Sequence, residues 1–157
     1  MNMKISIITI TYNSAKTLPN TLQSVLSQTY PQIEHIIVDG ASTDGTRELI
    51  ETYAKKVQKD KEQCTKEVRW VSEKDSGIYN AINKGIQMAT GDVIGFVHSD
   101  DMLFSSDSIE HIANAFSSSD VDLIYGDLQY CKGDKVVRRW KSNAYNPCAL
   151  KYGWMPP

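Results

Sequence analysis

The sequence predicts a layered α/β domain, with a mostly parallel sheet, helices on both of its faces and a β-hairpin towards the C-terminal end. Three observations carry that expectation. Four short segments are apolar on both faces, as strands are at the centre of a parallel sheet covered from each side. Stretches with apolar residues three and four apart lie between them, so strand and helix patterns alternate along the chain. The size agrees: 157 residues, 41% of them hydrophobic, make about one domain with one real core.

In chain order, Lys4 to Thr11 is β-branched and apolar on both faces and reads as the first strand. Ser14 to Gln28 follows as a helix with Leu18, Leu22, Val25 and Leu26 on one stripe; Pro19 fits only in its first turn. Glu34 to Asp39 is the second strand around Ile36-Ile37-Val38, and Thr43 to Lys59 the second helix, with Leu49, Ile50 and Tyr53 at helical spacing. Lys55 to Arg69, with six basic and three acidic residues, reads as the solvated end of that helix plus a loop, or alternatively as a phosphate-binding run. Glu67 to Ser72 is the third strand, carrying Val68, Trp70 and Val71. Ser76 to Ala89 is a helix with Tyr79, Ile82, Ile86 and Ala89 on one side, closed by Gly91. Asp92 to His98 is the fourth strand, and Asp107 to Phe116 a helix with Ile109, Ile112, Ala113 and Phe116. A further strand is expected over Val121 to Tyr125. Leu128 to Cys131 and Val136 to Trp140, around a Lys132-Gly133-Asp134 turn, read as a hairpin.

Composition excludes several classes of function. With 17 basic and 19 acidic residues the net charge is −2, so the chain is no polyelectrolyte, and a nucleic-acid partner held by bulk positive charge is not expected. The apolar runs are far shorter than the roughly 20 residues of a membrane span. The first residues lack the basic-then-apolar pattern of a secretory leader. Cys64, Cys131 and Cys148 are odd in number and lack metal-type spacing, which argues against a disulfide framework or a zinc site. Reduced thiols and a cytoplasmic location are expected.

The acidic residues fall where chemistry belongs in such a sheet. Asp39 ends the second strand, Asp75 follows the third, Asp100-Asp101 end the fourth, and Tyr12-Asn13 end the first. In a parallel sheet these positions open onto one edge, where ligands bind. Each has a plain alternative as a turn or helix cap, including Asp39-Gly40 and Ser42-Thr43-Asp44-Gly45. The Asp100-Asp101 pair suits an oxygen-preferring dication, Mg²⁺ or Mn²⁺, completed by diphosphate oxygens and water; a cap before Met102-Leu103-Phe104 is the alternative. His98 is either a further ligand or an ordinary structural histidine. Thr11-Tyr12-Asn13-Ser14-Ala15 has neither GxGxxG nor GxxxxGK[ST], against a dinucleotide oxidoreductase or a P-loop kinase. Nucleophile-elbow and His-Glu-x-x-His patterns are absent too. A nucleotide would instead rest on the ring of Tyr12 and donate to the Asp39 carboxylate, with Lys84 or Lys74 as cation for the diphosphate.

Together these blocks resemble the inverting family 2 glycosyltransferases, which have the Rossmann-like GT-A fold. Ile7-Ile8-Thr9-Ile10-Thr11-Tyr12-Asn13 is similar to that family's first strand and nucleotide loop. Leu26-Ser27-Gln28-Thr29-Tyr30-Pro31 and then Glu34 to Thr46 are similar to its next block. Ser72 to Gly85 resembles the block of bacterial polysaccharide-building members, and Gly95-Phe96-Val97-His98-Ser99-Asp100-Asp101 takes the place of the metal motif, DxD. The likeness runs to about Asp127, with several blocks in order. His98-Ser99 stands where many relatives open that motif with an acidic residue, and Asn80 where relatives often have Asp.

The resemblance implies a domain over residues 1–157 that binds a nucleotide-diphospho sugar of UDP or GDP type through Thr11, Tyr12, Asn13, Asp39, Asp44, Asp75, Lys84 and Asp100. Tyr12 would lie against the base, Asp39 would accept from it, and Asp44 would order the nucleotide loop. Asp100, with Asp101 beside it, would hold Mn²⁺ or Mg²⁺. It further implies transfer with inversion to a glycan or lipid-linked hydroxyl, and possible peripheral association of the full-length protein with the inner membrane face. The base is a carboxylate expected from the later half of the fold. Asp122 and Asp127 are poorly placed for it, Asp127 being the better. The Met155-Pro156-Pro157 end is expected to fall just before the acceptor half. The rival readings are a non-catalytic nucleotide- or glycan-binding module and a sugar nucleotidyltransferase, the latter lacking its glycine-rich basic loop here.

Overall fold

A computed structural model of the chain describes residues 3–59, 66–118, 120–133 and 135–152. Cys64 and the Trp154–Pro157 end lie outside them. The order is β1 (Ile5–Thr11), α1 (Leu18–Leu26), β2 (Ile33–Asp39), α2 (Thr46–Lys59), β3 (Glu67–Ser72), α3 (Ile78–Met88), β4 (Val93–Phe96), α4 (Ser108–Ser118), β5 (Leu128–Lys132) and β6 (Lys135–Trp140), then a 3-10 turn at Ala149–Tyr152. The chain divides into two compact units, the first running to Ser117 and the second starting at Ser118.

In the first unit β1 to β4 form one parallel sheet in the order β3-β2-β1-β4. Every residue of β1 and β2 is buried, as their two-sided apolar sequences require. On one face Leu18 and Leu22 of α1 and Ile50, Tyr53 and Val57 of α2 pack with Ile37. On the other, Ala81 of α3 meets Ile8, Ile10, Ile36 and Val38. Helix α3 lies so close to β1 that a methyl at Gly85 would stand 2.5 Å from Ile8 Cγ2. Gly91 serves close approach and not helix termination: α3 ends at Met88, and a methyl at 91 would lie 2.7 Å from the Lys4 carbonyl.

Two buried polar groups brace the sheet. Glu34 on β2 accepts from Ser6 Oγ (2.7 Å), Thr90 N (2.9 Å) and Thr90 Oγ1 (2.9 Å), with Arg69 at 3.3 Å. Burial pushes its carboxyl up, but the bonds from Thr90, Ser6 and Arg69 overrule burial and hold it at about 2. His35 sits between Thr9 and Tyr53: Thr9 Oγ1 donates to the Val97 carbonyl (2.7 Å), so it accepts from His35 Nε2 (3.0 Å), and Nδ1 accepts from the Tyr53 hydroxyl (2.9 Å). Burial drives the imidazole down to about 3, so it is neutral.

Three further expectations need correction. Val121 to Tyr125 is not a strand; Val121 and Leu123 are exposed, and the segment is in neither of the two sheets of the described residues. The basic run is not wholly solvated, since Lys66 is buried and its ammonium donates to the Leu26 and Gln28 carbonyls at the C-terminal end of α1, where the helix dipole favours a cation. The first helix starts at Leu18 because residues 14–17 form a turn instead, with Thr17 N and Leu18 N both donating to the Ser14 carbonyl. The expected hairpin is present in the second unit, antiparallel and shifted in register between Tyr130 and Cys131. No helix among the described residues is long and apolar enough to cross a membrane.

Candidate functional site

Strand register assembles the site. Thr11 pairs with Asp39, and Asp39 with Ser72, so three strands end side by side. The shorter β4 then delivers His98-Ser99-Asp100 to the same edge. This turn is tied to α1 by Thr21, whose buried hydroxyl reaches the Asp101 carbonyl at 2.8 Å and the His98 carbonyl at 3.3 Å.

The loops after β1 and β2 are laced together. Asn13 adopts a left-handed backbone (φ 49), which asparagine tolerates better than most residues. Its amide donates to Ser42 Oγ (2.8 Å), and its Oδ1 accepts from Thr43 N (3.0 Å). Asp44 accepts from Ala15 N (3.0 Å) through one oxygen and from Thr46 N (3.1 Å) and Thr46 Oγ1 (2.6 Å) through the other. The Thr46 hydroxyl first, and then the Ala15 amide, hold its carboxyl below the usual carboxylate range. Asp44 therefore caps α2 and fixes the first loop at once.

Asp39 is wholly buried. It accepts from Ser42 Oγ, from Ser42 N at 3.1 Å and from Ser72 Oγ at 2.6 Å. Its oxygens serve the loops around it, and it is not among the residues on the cleft wall. Ser42, expected as a turn or cap residue, binds the Asp39 carboxylate, and Ser72 joins it without having been singled out in the sequence. Ser72 was findable from parallel register, because a strand-end serine pairs with Asp39 once β3 is set beside β2.

A cleft of about 600 Å³ opens above these strand ends, walled by Thr11, Tyr12, Lys74, Asp75, Ile78 and Asp100 among others. Tyr12 is 66% exposed, so its ring is open to a ligand. Gly40 lets the wall close in: a methyl there would stand 3.2 Å from Tyr12 Cδ2 and 3.6 Å from Asp75 Oδ2. Lys84 is not a free cation. It is paired with Asp75 Oδ1 and, at 2.7 Å, with Glu73, and these bonds raise its pKa, Asp75 first. Lys74 makes no ion pair among the described residues and lines the cleft.

Asp100 also borders a second hollow of about 480 Å³, with Asn13, Lys16 and Asp44, so it stands between two spaces. Nothing in the sequence pattern marks Lys16 for this place. Asp101 borders neither hollow; burial first and the neighbouring Asp100 charge second push its carboxyl up. Two buried polar atoms near the cleft have no hydrogen-bond partner among the described residues, Thr11 Oγ1 and His98 Nδ1. In the second unit Asp127 accepts from Ser142 N (2.8 Å) and Ser142 Oγ (2.9 Å), which lowers its pKa and weakens it as a base.

No three metal-ligating side chains cluster among the described residues. An all-protein cage is thus not offered, but Mg²⁺ and Mn²⁺ sites of the phosphate-bridging kind need only one or two carboxylates, with phosphate oxygens and water completing the shell. Asp100 beside an open cleft fits that donor set.

Comparison with known proteins agrees with the fold. The chain is 34% identical over 136 residues to an uncharacterized glycosyltransferase of Nostoc sp., covering 86% of this chain and 40% of that protein. It is 33% identical over 126 residues to a PGL/p-HBAD biosynthesis glycosyltransferase of Mycobacterium bovis, covering 78% and 46%. The chain spans less than half the length of these relatives. Among solved structures, the mannosyltransferase PcManGT of Pyrobaculum calidifontis, in complex with GDP-Man and Mn²⁺, superposes with a TM-score of 0.64 at 25% identity, covering 83% of this chain and 36% of that one. TarS of S. aureus residues 1–349, in complex with UDP-GlcNAc, gives 0.59 at 28% identity, covering 74% and 32%. The profile described as Glycosyl transferase family 2 matches residues 6–156, and the chain belongs to that family.

Proposed function

We propose that this domain binds a nucleotide-diphospho sugar with a divalent cation and serves as the donor-binding part of an inverting glycosyltransferase. The observation that carries the reading is the convergence of Tyr12, Lys74, Asp75 and Asp100, from three strand ends, around one cleft of about 600 Å³. That space suits a small-molecule site, and its polar groups are few and convergent. The structures of two family-like transferases in complex with sugar nucleotides, one with Mn²⁺, support the same reading.

In this account Tyr12 offers its ring to the base, and Asp44 keeps the loop that carries Tyr12 in place. Lys74 supplies positive charge at the base end of the cleft, and Asp100 with Ser99 faces the diphosphate. Bound there, Mn²⁺ or Mg²⁺ would neutralise charge developing on the departing diphosphate. In the transfer, the acceptor oxygen bonds to the anomeric carbon while the bond from that carbon to the diphosphate oxygen breaks. The acceptor proton passes to a carboxylate base, and the nucleoside diphosphate leaves. The acceptor is a glycan or lipid-linked hydroxyl.

Calorimetric titration of nucleoside diphosphates with and without Mn²⁺ tests the binding step. Binding that needs the cation and is lost in Asp100→Ala supports the reading. Binding that is indifferent to both removes the metal role.

A further inference from the structure

We propose that Asp75, and not Asp39, is the carboxylate that reads the nucleobase, and that it selects a pyrimidine imide, an N–H flanked by two carbonyls. This rests on the nucleotide-sugar reading above and specifies the class of nucleotide.

Asp39 is 0% exposed and already accepts from Ser42 and Ser72. Asp75 differs in each respect. Its side chain is 10% exposed and forms part of the cleft wall. Oδ1 is held by Lys84, which Glu73 steadies at 2.7 Å from the other side. Oδ2 has no hydrogen bond among the described residues, and it lies 3.6 Å from the point where a Gly40 methyl would be, itself 3.2 Å from the Tyr12 ring. Ring, open backbone and free acceptor thus meet at one place. A base stacked on Tyr12 brings its hydrogen-bonding edge towards that oxygen.

A carboxylate only accepts, so the base edge there must donate. Cytosine and adenine present a bare ring nitrogen at the corresponding position, which repels an anionic oxygen. Guanine presents two adjacent donors and is matched by a carboxylate with both oxygens open, whereas Lys84 occupies Oδ1. Uracil and thymine present a single N–H between two carbonyls. Lys74, on the same wall and without an ion pair among the described residues, is the donor available to a flanking carbonyl. Lys84 acts here as a positioning residue, holding the carboxylate so that Oδ2 faces the ligand.

The test is isothermal titration of this chain, in Mn²⁺, with UDP, dTDP, N3-methyl-UDP, CDP and GDP, and of Asp75→Asn with UDP. UDP or dTDP should bind at least about tenfold more tightly than N3-methyl-UDP, CDP or GDP. Asp75→Asn should weaken UDP by about tenfold or more, as expected for loss of a hydrogen bond to a charged acceptor; the ratio of UDP to dTDP then says which imide is preferred. N3-methyl-UDP needs no substitution, so that comparison stands even if the variant folds poorly. Equal binding of UDP and N3-methyl-UDP, or a preference for GDP, overturns the base assignment and leaves the nucleotide-sugar reading intact. Absence of binding by every diphosphate overturns both.

Discussion

His35 gives the fold a measurable sensitivity to mild acid. Its ring is enclosed by Thr9 and Tyr53, and burial lowers its pKa from 6.5 to about 3. The neutral form is the folded one, whereas the unfolded chain takes up a proton below 6.5. Stability is therefore complete above that value and declines as pH falls from 6.5 towards 3. Linkage gives a slope approaching ~1.4 kcal/mol per pH unit, or about 2 kcal/mol lost between about pH 7.5 and about pH 5. Urea unfolding followed by tryptophan fluorescence at several pH values reads this directly. His35→Gln, which cannot titrate, should start lower because the bonds of His35 to Thr9 and Tyr53 are disturbed, yet stay nearly level across the same window. A wild-type chain as level as His35→Gln, or a variant as steep as the wild type, would refute the buried-imidazole account. The effect bears on the site, because Thr9 Oγ1 also holds the Val97 carbonyl, one residue before His98.

Glu34 acts in a more acid window: its carboxyl is held at about 2 against an ordinary 4.5, so its stabilisation is present above 4.5 and fades as pH drops towards 2. The shift corresponds to about 3 kcal/mol, and Glu34→Gln should remove that part of the acid slope in the same unfolding series. Gly85→Ala, whose methyl would meet Ile8 Cγ2 at 2.5 Å, should cost about 1–3 kcal/mol by overpacking, seen as a lower melting temperature; an unchanged melt would show that α3 and β1 are not in such close contact. Asp44→Ala frees the Ala15 amide and the cap of α2, so nucleotide affinity should drop roughly threefold to tenfold while the chain stays folded; unchanged affinity would mean that the loop carrying Tyr12 needs no such anchor.

The sheet was legible because its signal is local. Ile5 to Thr11 is apolar on both faces and Ile33 to Asp39 carries Ile36-Ile37-Val38, runs that suit a parallel sheet covered from each side. Convergence of Tyr12, Asp75 and Asp100 on one edge also followed, since parallel strands end together. What was not legible depends on partners distant in sequence. Asp39 looks like a free strand-end carboxylate until register places Ser72 beside it. Lys84 looks like an available cation until the α3 and β3 ends bring Glu73 and Asp75 to its ammonium. Lys66 looked solvated because it sits in a charged run, yet it turns inward to the end of α1. Val121 to Tyr125 has strand composition, and composition does not supply the neighbour that a strand needs.

The central claim is that a metal–nucleotide pair binds at Asp100 in the cleft under Tyr12. Paramagnetic broadening of backbone amide signals by substoichiometric Mn²⁺, with and without UDP, tests it most directly. Nucleotide-dependent broadening centred on Ser99, Asp100 and the loop from Tyr12 to Ala15, abolished in Asp100→Ala, is the expected result. Broadening that is centred elsewhere, or that persists in Asp100→Ala, would contradict the account.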